Sequence, residues 1–163
     1  MKYTYLKPEL ENLSQGARIS YVRQLRRMTQ DEVSSKLGLT GECKRRSMTR
    51  YERGNRIPKQ ERLEELARIF NVNVRCLEKY NFRKIEDIIY QLLWMDEMYP
   101  RMNIELNIDS YYPSTKNEKI NKFINEWKEI KERRLNHEIT YEEYIEWKLQ
   151  YEFKEGEKNN ENS

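Results

Sequence analysis

The sequence predicts a mainly α fold: a five-helix N-terminal domain, then a helical C-terminal region with room for one short strand. Three observations point there. Charged residues make up 36% and hydrophobic ones 37% of the 163 residues, with only five Gly and four Pro, a composition that suits helix-rich chains better than β-sandwiches or disordered segments. Apolar residues recur at intervals of three and four in several windows, separated by capping and turn residues. The charge is also divided: residues through Tyr80 carry 18 Lys/Arg against 10 Asp/Glu, a net +8, while the rest carry 13 against 18, a net −5. A basic half of this kind suits contact with nucleic acid, because phosphate neutralisation supplies most non-specific affinity.

Residues 1–13 show no period and read as an arm. A first helix is expected from Ser14, with Ile19, Val22, Leu25 and Met28 inward and Arg18, Arg23, Arg26 and Arg27 on the surface. Thr29-Gln30-Asp31-Glu32 has the form of a capping box, in which hydroxyl and carboxylate each bond the other residue's amide. It opens a second helix of about two turns that buries Val33 and Leu37 and stops at Gly38. Thr40 is the expected cap of a third helix, which runs through Lys44, Arg45, Arg46, Ser47, Met48, Arg50 and Tyr51 to Gly54. Pro58 suits the first turn of a fourth helix carrying Leu63, Leu66, Ala67 and Phe70, and a short fifth around Val74 to Lys79 closes a domain spanning 14–80.

Beyond residue 81, Ile85, Ile88, Ile89, Leu92, Leu93 and Met95 predict a strongly apolar helix ended by Pro100. Met102, Ile104, Leu106 and Ile108 alternate with polar residues and read as one half-buried strand. Two more helices follow, one over 115–135 and one opened by a second capping box at Thr140-Tyr141-Glu142-Glu143. The helical C-terminal region is thus placed at 81–153, and 154–163, without apolar anchors, is expected to be a disordered tail.

A capped two-turn helix, a turn at Gly38 and a basic helix ending in Tyr51-Glu52-Arg53-Gly54 make a helix-turn-helix pattern. Met28 to Val33, Leu37-Gly38-Leu39 and Arg50 to Pro58 closely resemble the lambda-repressor and Cro-like, or xenobiotic-response-element, transcriptional regulators, over about Ser14 to Tyr80. The resemblance implies a third helix that enters the major groove of double-stranded DNA. It places Arg45, Arg46, Ser47 and Arg50 where relatives read bases, and Gln30, Lys44, Arg53, Asn55 and Arg56 at the DNA backbone. Two departures stand out. About four residues, Gly41-Glu42-Cys43-Lys44 or their equivalent, are added before the recognition helix, as an extra helical turn or a longer loop. Ser34 stands where relatives bury Ala.

Other chemistry finds little footing. No stretch approaches the roughly 18 to 20 apolar residues of a membrane span, and Met1 to Tyr5 has no apolar signal core, so a cytoplasmic location is expected. Cys43 and Cys76 share no metal-binding spacing and read as free thiols, Cys43 having basic neighbours that favour thiolate. His137 has no second His or nearby Cys and reads as a loop residue, so no cofactor, metal or catalytic role is expected. Trp127 and Trp147, each followed by Lys, with Tyr141, Tyr144 and Tyr151, resemble the acidic-aromatic tails of some regulators of phage and conjugative elements. A homodimer formed through the C-terminal region is the leading expectation, making a repressor on a palindromic operator. The alternative is an antitoxin-like module whose C-terminal region binds a protein partner.

Overall fold

The computed structural model describes residues 8–39, 41, 43–105 and 118–153, with only the backbone for 43–45 and 101. Contacts divide the chain into two compact units, Met1–Met102 and Asn103–Ser163.

In the first unit, α1 (Gln15–Leu25) begins where the Ser14 hydroxyl accepts the Ala17 amide at 3.2 Å. The capping box forms as expected: Thr29 Oγ1 accepts from Glu32 N at 3.1 Å and Glu32 Oε2 from Thr29 N at 2.7 Å, opening α2 (Gln30–Lys36). Then come α3 (Cys43–Glu52), α4 (Gln60–Phe70), a single 3-10 turn at Val74–Cys76 and α5 (Ile85–Met98). Pro58 stands just ahead of α4's Lys59 cap. Ile19, Val22, Val33, Met48, Leu66, Phe70 and Leu77 are fully buried and form the core between these helices. Helix ends use left-handed residues: after Gly38 turns at φ 68°, its amide bonds Ser35 O and the Leu39 amide bonds Ser34 O, each at 3.0 Å.

Several expectations change. Residues 8–13 are not a free arm, because Leu10 is buried and Asn12 Oδ1 accepts the Ser14 amide at 2.8 Å; the rest of the expected arm lies outside the described residues. The first unit's fifth α-helix is not the expected 74–79 segment but α5. The reason lies in the carbonyls at the end of the 3-10 turn. Cys76 O accepts from Arg18 Nη1 at 2.7 Å and Trp94 Nε1 at 3.1 Å, and Leu77 O accepts from Gln15 Nε2 at 2.9 Å. Side chains of α1 and α5 thus satisfy groups that a longer helix would have used internally. With α5 so tied, the first unit extends to Met102, past the boundary that the sequence suggests after Tyr80. Among the described residues there is no strand: Pro100–Met102 is a 3-10 turn, 103–105 are irregular, and Leu106 and Ile108 lie outside the described residues. Residues 154–163 and Thr40 also lie outside them.

The second unit contains α6 (Glu118–Leu135) and α7 (Tyr141–Gln150), packed on one another. His137, at φ 59°, makes the turn: Glu138 N bonds Arg133 O at 2.9 Å, and the Thr140–Glu143 capping box then opens α7. The core is aromatic. Phe123 is fully buried with its ring centroid 5.2 Å from those of both Trp127 and Tyr151, and Trp127 Nε1 donates to Tyr144 Oη at 2.9 Å.

Candidate nucleic-acid interface

The interface is built from α2, α3 and the loop that follows. Met48 and Tyr51 turn the inner face of α3 into the core, at 0% and 6% exposure. Helical geometry then sends Arg46, Arg50 and the following Arg53 to the opposite side, spaced four and three residues apart, and all three are exposed. The stripe extends about 10 Å along the helix, roughly three base-pair steps. Arg53 prolongs the last turn, its amide bonding Thr49 O at 3.0 Å, before Gly54 reverses the chain at φ 72°. Asn55 and Arg56 are exposed in the loop beyond, with the Arg56 guanidinium 5.8 Å from the Tyr51 ring centre.

A buried polar network sets the angle between α2 and α3. Gln30, the first residue of α2, donates from Nε2 to Glu52 Oε2 at 2.8 Å and accepts from Thr49 Oγ1 at 3.0 Å. Glu52 is held in turn by Arg23 of α1, through Nε to Oε1 at 2.5 Å and Nη2 to Oε2 at 3.0 Å. This bidentate fork is the strong form of an arginine–carboxylate pair, and it lies mostly buried. Arg23 also donates to Met28 O at 2.8 Å, so one side chain joins the end of α1, the approach to α2 and the end of α3. Gly16 permits the close approach of α1: a Cβ there would stand 2.3 Å from Glu52 O.

The structure therefore corrects the surface assignment of two arginines. Arg23 is the clamp just described. Arg18, 2% exposed, donates from Nη2 to Glu78 O at 2.6 Å as well as to Cys76 O, and lies 4.2 Å from the centre of the Tyr80 ring. Burial pushes its pKa down, partly offset by Tyr80 and Cys76; burial likewise pushes the Cys76 thiol up to about 12, which makes it an inert core residue. The sequence did hold a signal for Arg18, since it stands four residues before Val22 and seven before Leu25, on the apolar stripe of α1. Arg26 and Arg62 behave similarly, bonding Phe70 O at 2.6 Å and Leu37 O at 2.9 Å.

Of the remaining site residues, Ser47 is half-buried on α3, and Lys44 and Arg45 lie in the first turn of α3. The added residues are divided between loop and helix: Gly41 turns at φ 75°, and α3 starts at Cys43. Thr49 and Glu52 are members of the network that the motif alone did not single out. Residues 19–75 match the helix-turn-helix family model.

This segment is a helix-turn-helix domain.

The match spans most of α1, all of α2 to α4 and the turn after α4. The chain thus carries a DNA-binding domain of the kind found in transcriptional regulators, with the lambda-repressor-like features seen in its sequence. No curated protein and no solved structure matches the chain. Among the described residues no helix is long and apolar enough to cross a membrane, and no cluster of His, Cys, Asp and Glu could hold a metal ion.

Proposed function

We propose that the protein is a sequence-specific regulator that binds double-stranded DNA as a dimer, acting as a repressor on a palindromic operator. The exposed stripe of Arg46, Arg50 and Arg53 opposite the buried Met48 and Tyr51 carries this reading. Arg45, Arg46, Ser47 and Arg50 read base edges, arginine being suited to guanine O6 and N7. Gln30, Lys44, Arg53, Asn55 and Arg56 meet the backbone, where they position the domain without reading sequence. Gln30 does so from a fixed place, because Glu52 and Thr49 hold both ends of its amide.

The dimer reading is supported by α5. Ile85, Ile88, Leu92, Met95 and Tyr99 repeat at alternating intervals of three and four, with Ile88 41% and Tyr99 44% exposed. That spacing is the seam by which two helices pair, and it fits a second copy of this chain. Pairing through a helix attached to the DNA-binding unit would hold two recognition helices for half-sites about 34 Å apart. An antitoxin-like module predicts a C-terminal half that needs a partner to order it; the aromatic core shared by α6 and α7 supports the regulator instead.

Selection of bound duplexes from a random pool, at one fixed salt concentration, tests the proposal with wild type, Arg46→Ala and Arg50→Ala. A palindromic motif that each variant relaxes at its own positions, by about 1 to 3 kcal/mol per lost contact, is the expected result. Absence of any enriched motif would overturn sequence-specific reading. Leu92→Glu in the full chain should give a monomer by sedimentation.

A further inference from the structure

The chain ahead of α1 carries charge that the DNA-contact reading does not use. Leu10 is buried, 7% exposed, and anchors this segment to the first unit, while its neighbours Glu9 and Glu11 are exposed. Both glutamates line a cleft of about 420 Å³ whose other walls include Ser20, Gln30, Thr49 and Arg53. Two of those, Gln30 and Arg53, are the backbone-contacting residues of the preceding proposal. Charges that share a cleft of this size act on one another over distances comparable to the ~10 Å screening length at 0.1 M salt. A phosphate held at Gln30 or Arg53 is therefore within the reach of both carboxylates. Glu52, on the same cleft, differs in kind, because Arg23 and Gln30 occupy its oxygens.

We propose that Glu9 and Glu11 act as an electrostatic brake on DNA binding, held against the phosphate path by the buried Leu10. The inference rests on the DNA-binding reading of the first unit. The brake lowers affinity most at low salt, where repulsion reaches farthest, and it flattens the salt dependence of binding. Arginines on α3 bring the backbone close, and the acidic segment limits how tightly any duplex, specific or not, is held. The partner whose approach it opposes is the DNA backbone itself.

The test measures affinity of the full chain for a selected duplex and a random one, across about 50 to 400 mM salt. Wild type is compared with Glu9→Gln/Glu11→Gln and with Glu129→Gln/Glu132→Gln, which makes the same charge change on exposed positions of α6. The first double variant should bind about three- to tenfold more tightly at the lowest salt and within about twofold of wild type at the highest, with a steeper log–log slope. Both variants should melt with wild type, since all four positions are exposed. A change of less than about twofold at low salt, or an equal gain in the α6 variant, overturns the brake while leaving DNA binding intact. If wild type binds neither duplex, the DNA-binding reading falls and the brake with it.

Discussion

The two compact units keep their helices in register by different means. In the first, charged side chains reach across to backbone carbonyls and one carboxylate: Arg18 to Cys76 O and Glu78 O, Arg26 to Phe70 O, Arg62 to Leu37 O, Arg23 to Glu52. Even α5 joins through polar contacts, with Asp87 3.0 Å from Arg75 and Glu97 accepting from the Tyr21 hydroxyl. In the second unit aromatic rings do this, and two lysines lie over rings, Lys131 4.6 Å from the centre of Trp127 and Lys148 4.6 Å from that of Tyr144. Directional bonds allow one helix angle where rings tolerate several. A helix that must offer arginines to a groove at one angle gains from the stricter device.

Exchanging the two devices gives the largest expected effects. Phe123→Ala removes a fully buried ring and should cost about 4 kcal/mol; Arg18→Ala takes the donor from Glu78 O and one of the donors from Cys76 O, empties a buried site, and should cost about 3 kcal/mol. Calorimetry should show each variant lowering only its own unit's transition. Transitions that move together would mean that the units unfold as one block, and the contrast between them would lose its meaning. Gly16→Ala comes next: a Cβ 2.3 Å from Glu52 O and 2.6 Å from Tyr51 O must push α1 from α3. Denaturant titration should show a loss of about 2 to 3 kcal/mol, with DNA affinity falling as the Arg23–Glu52 fork opens.

The capping boxes offer a finer comparison, because the same motif serves both units. Thr29→Ala and Thr140→Ala should each cost about 1 kcal/mol, yet only Thr29→Ala should weaken DNA binding, since Gln30 follows directly in α2. The backbone amides of Thr29 and Thr140, and after them the hydroxyls, hold the Glu32 and Glu143 carboxyls below their usual pKa. A lowered folded-state pKa stabilises above the ordinary carboxylate range and is lost as pH falls through the folded value. Alanine keeps the amide and removes the hydroxyl, so the hydroxyl's part of each penalty should shrink in acid, which thermal melts at pH 7 and about pH 3 would read. Smallest is Arg27→Gly. Arg27 sits at φ 54° after α1, so glycine should raise stability by about 0.5 to 1 kcal/mol, a gain without counterpart at any right-handed position.

Local chemistry made much of this legible. Capping boxes at Thr29 and Thr140, the stop at Gly38 and the buried stripe of Leu63, Leu66, Ala67 and Phe70 on α4 each depend on residues a few positions apart, and each forms. The motif that names Gln30, Arg46, Arg50 and Arg53 is read the same way. Thr49 and Glu52 were not legible as a network, because their partner Gln30 comes from another helix, and the Arg23 clamp lies 29 residues from Glu52.

By its own pattern, then, the sequence determined where most helices begin and end and which face of each is apolar, because capping and periodicity act within one turn or two. Tertiary structure alone decided which arginines are clamps and which face outward, since the carbonyl that Arg18 bonds is 58 residues away. It also decided that α5 belongs to the first unit and that the 74–79 segment stays a single turn. Those outcomes depend on which unsatisfied backbone groups meet which donors, and only the packed chain brings them together.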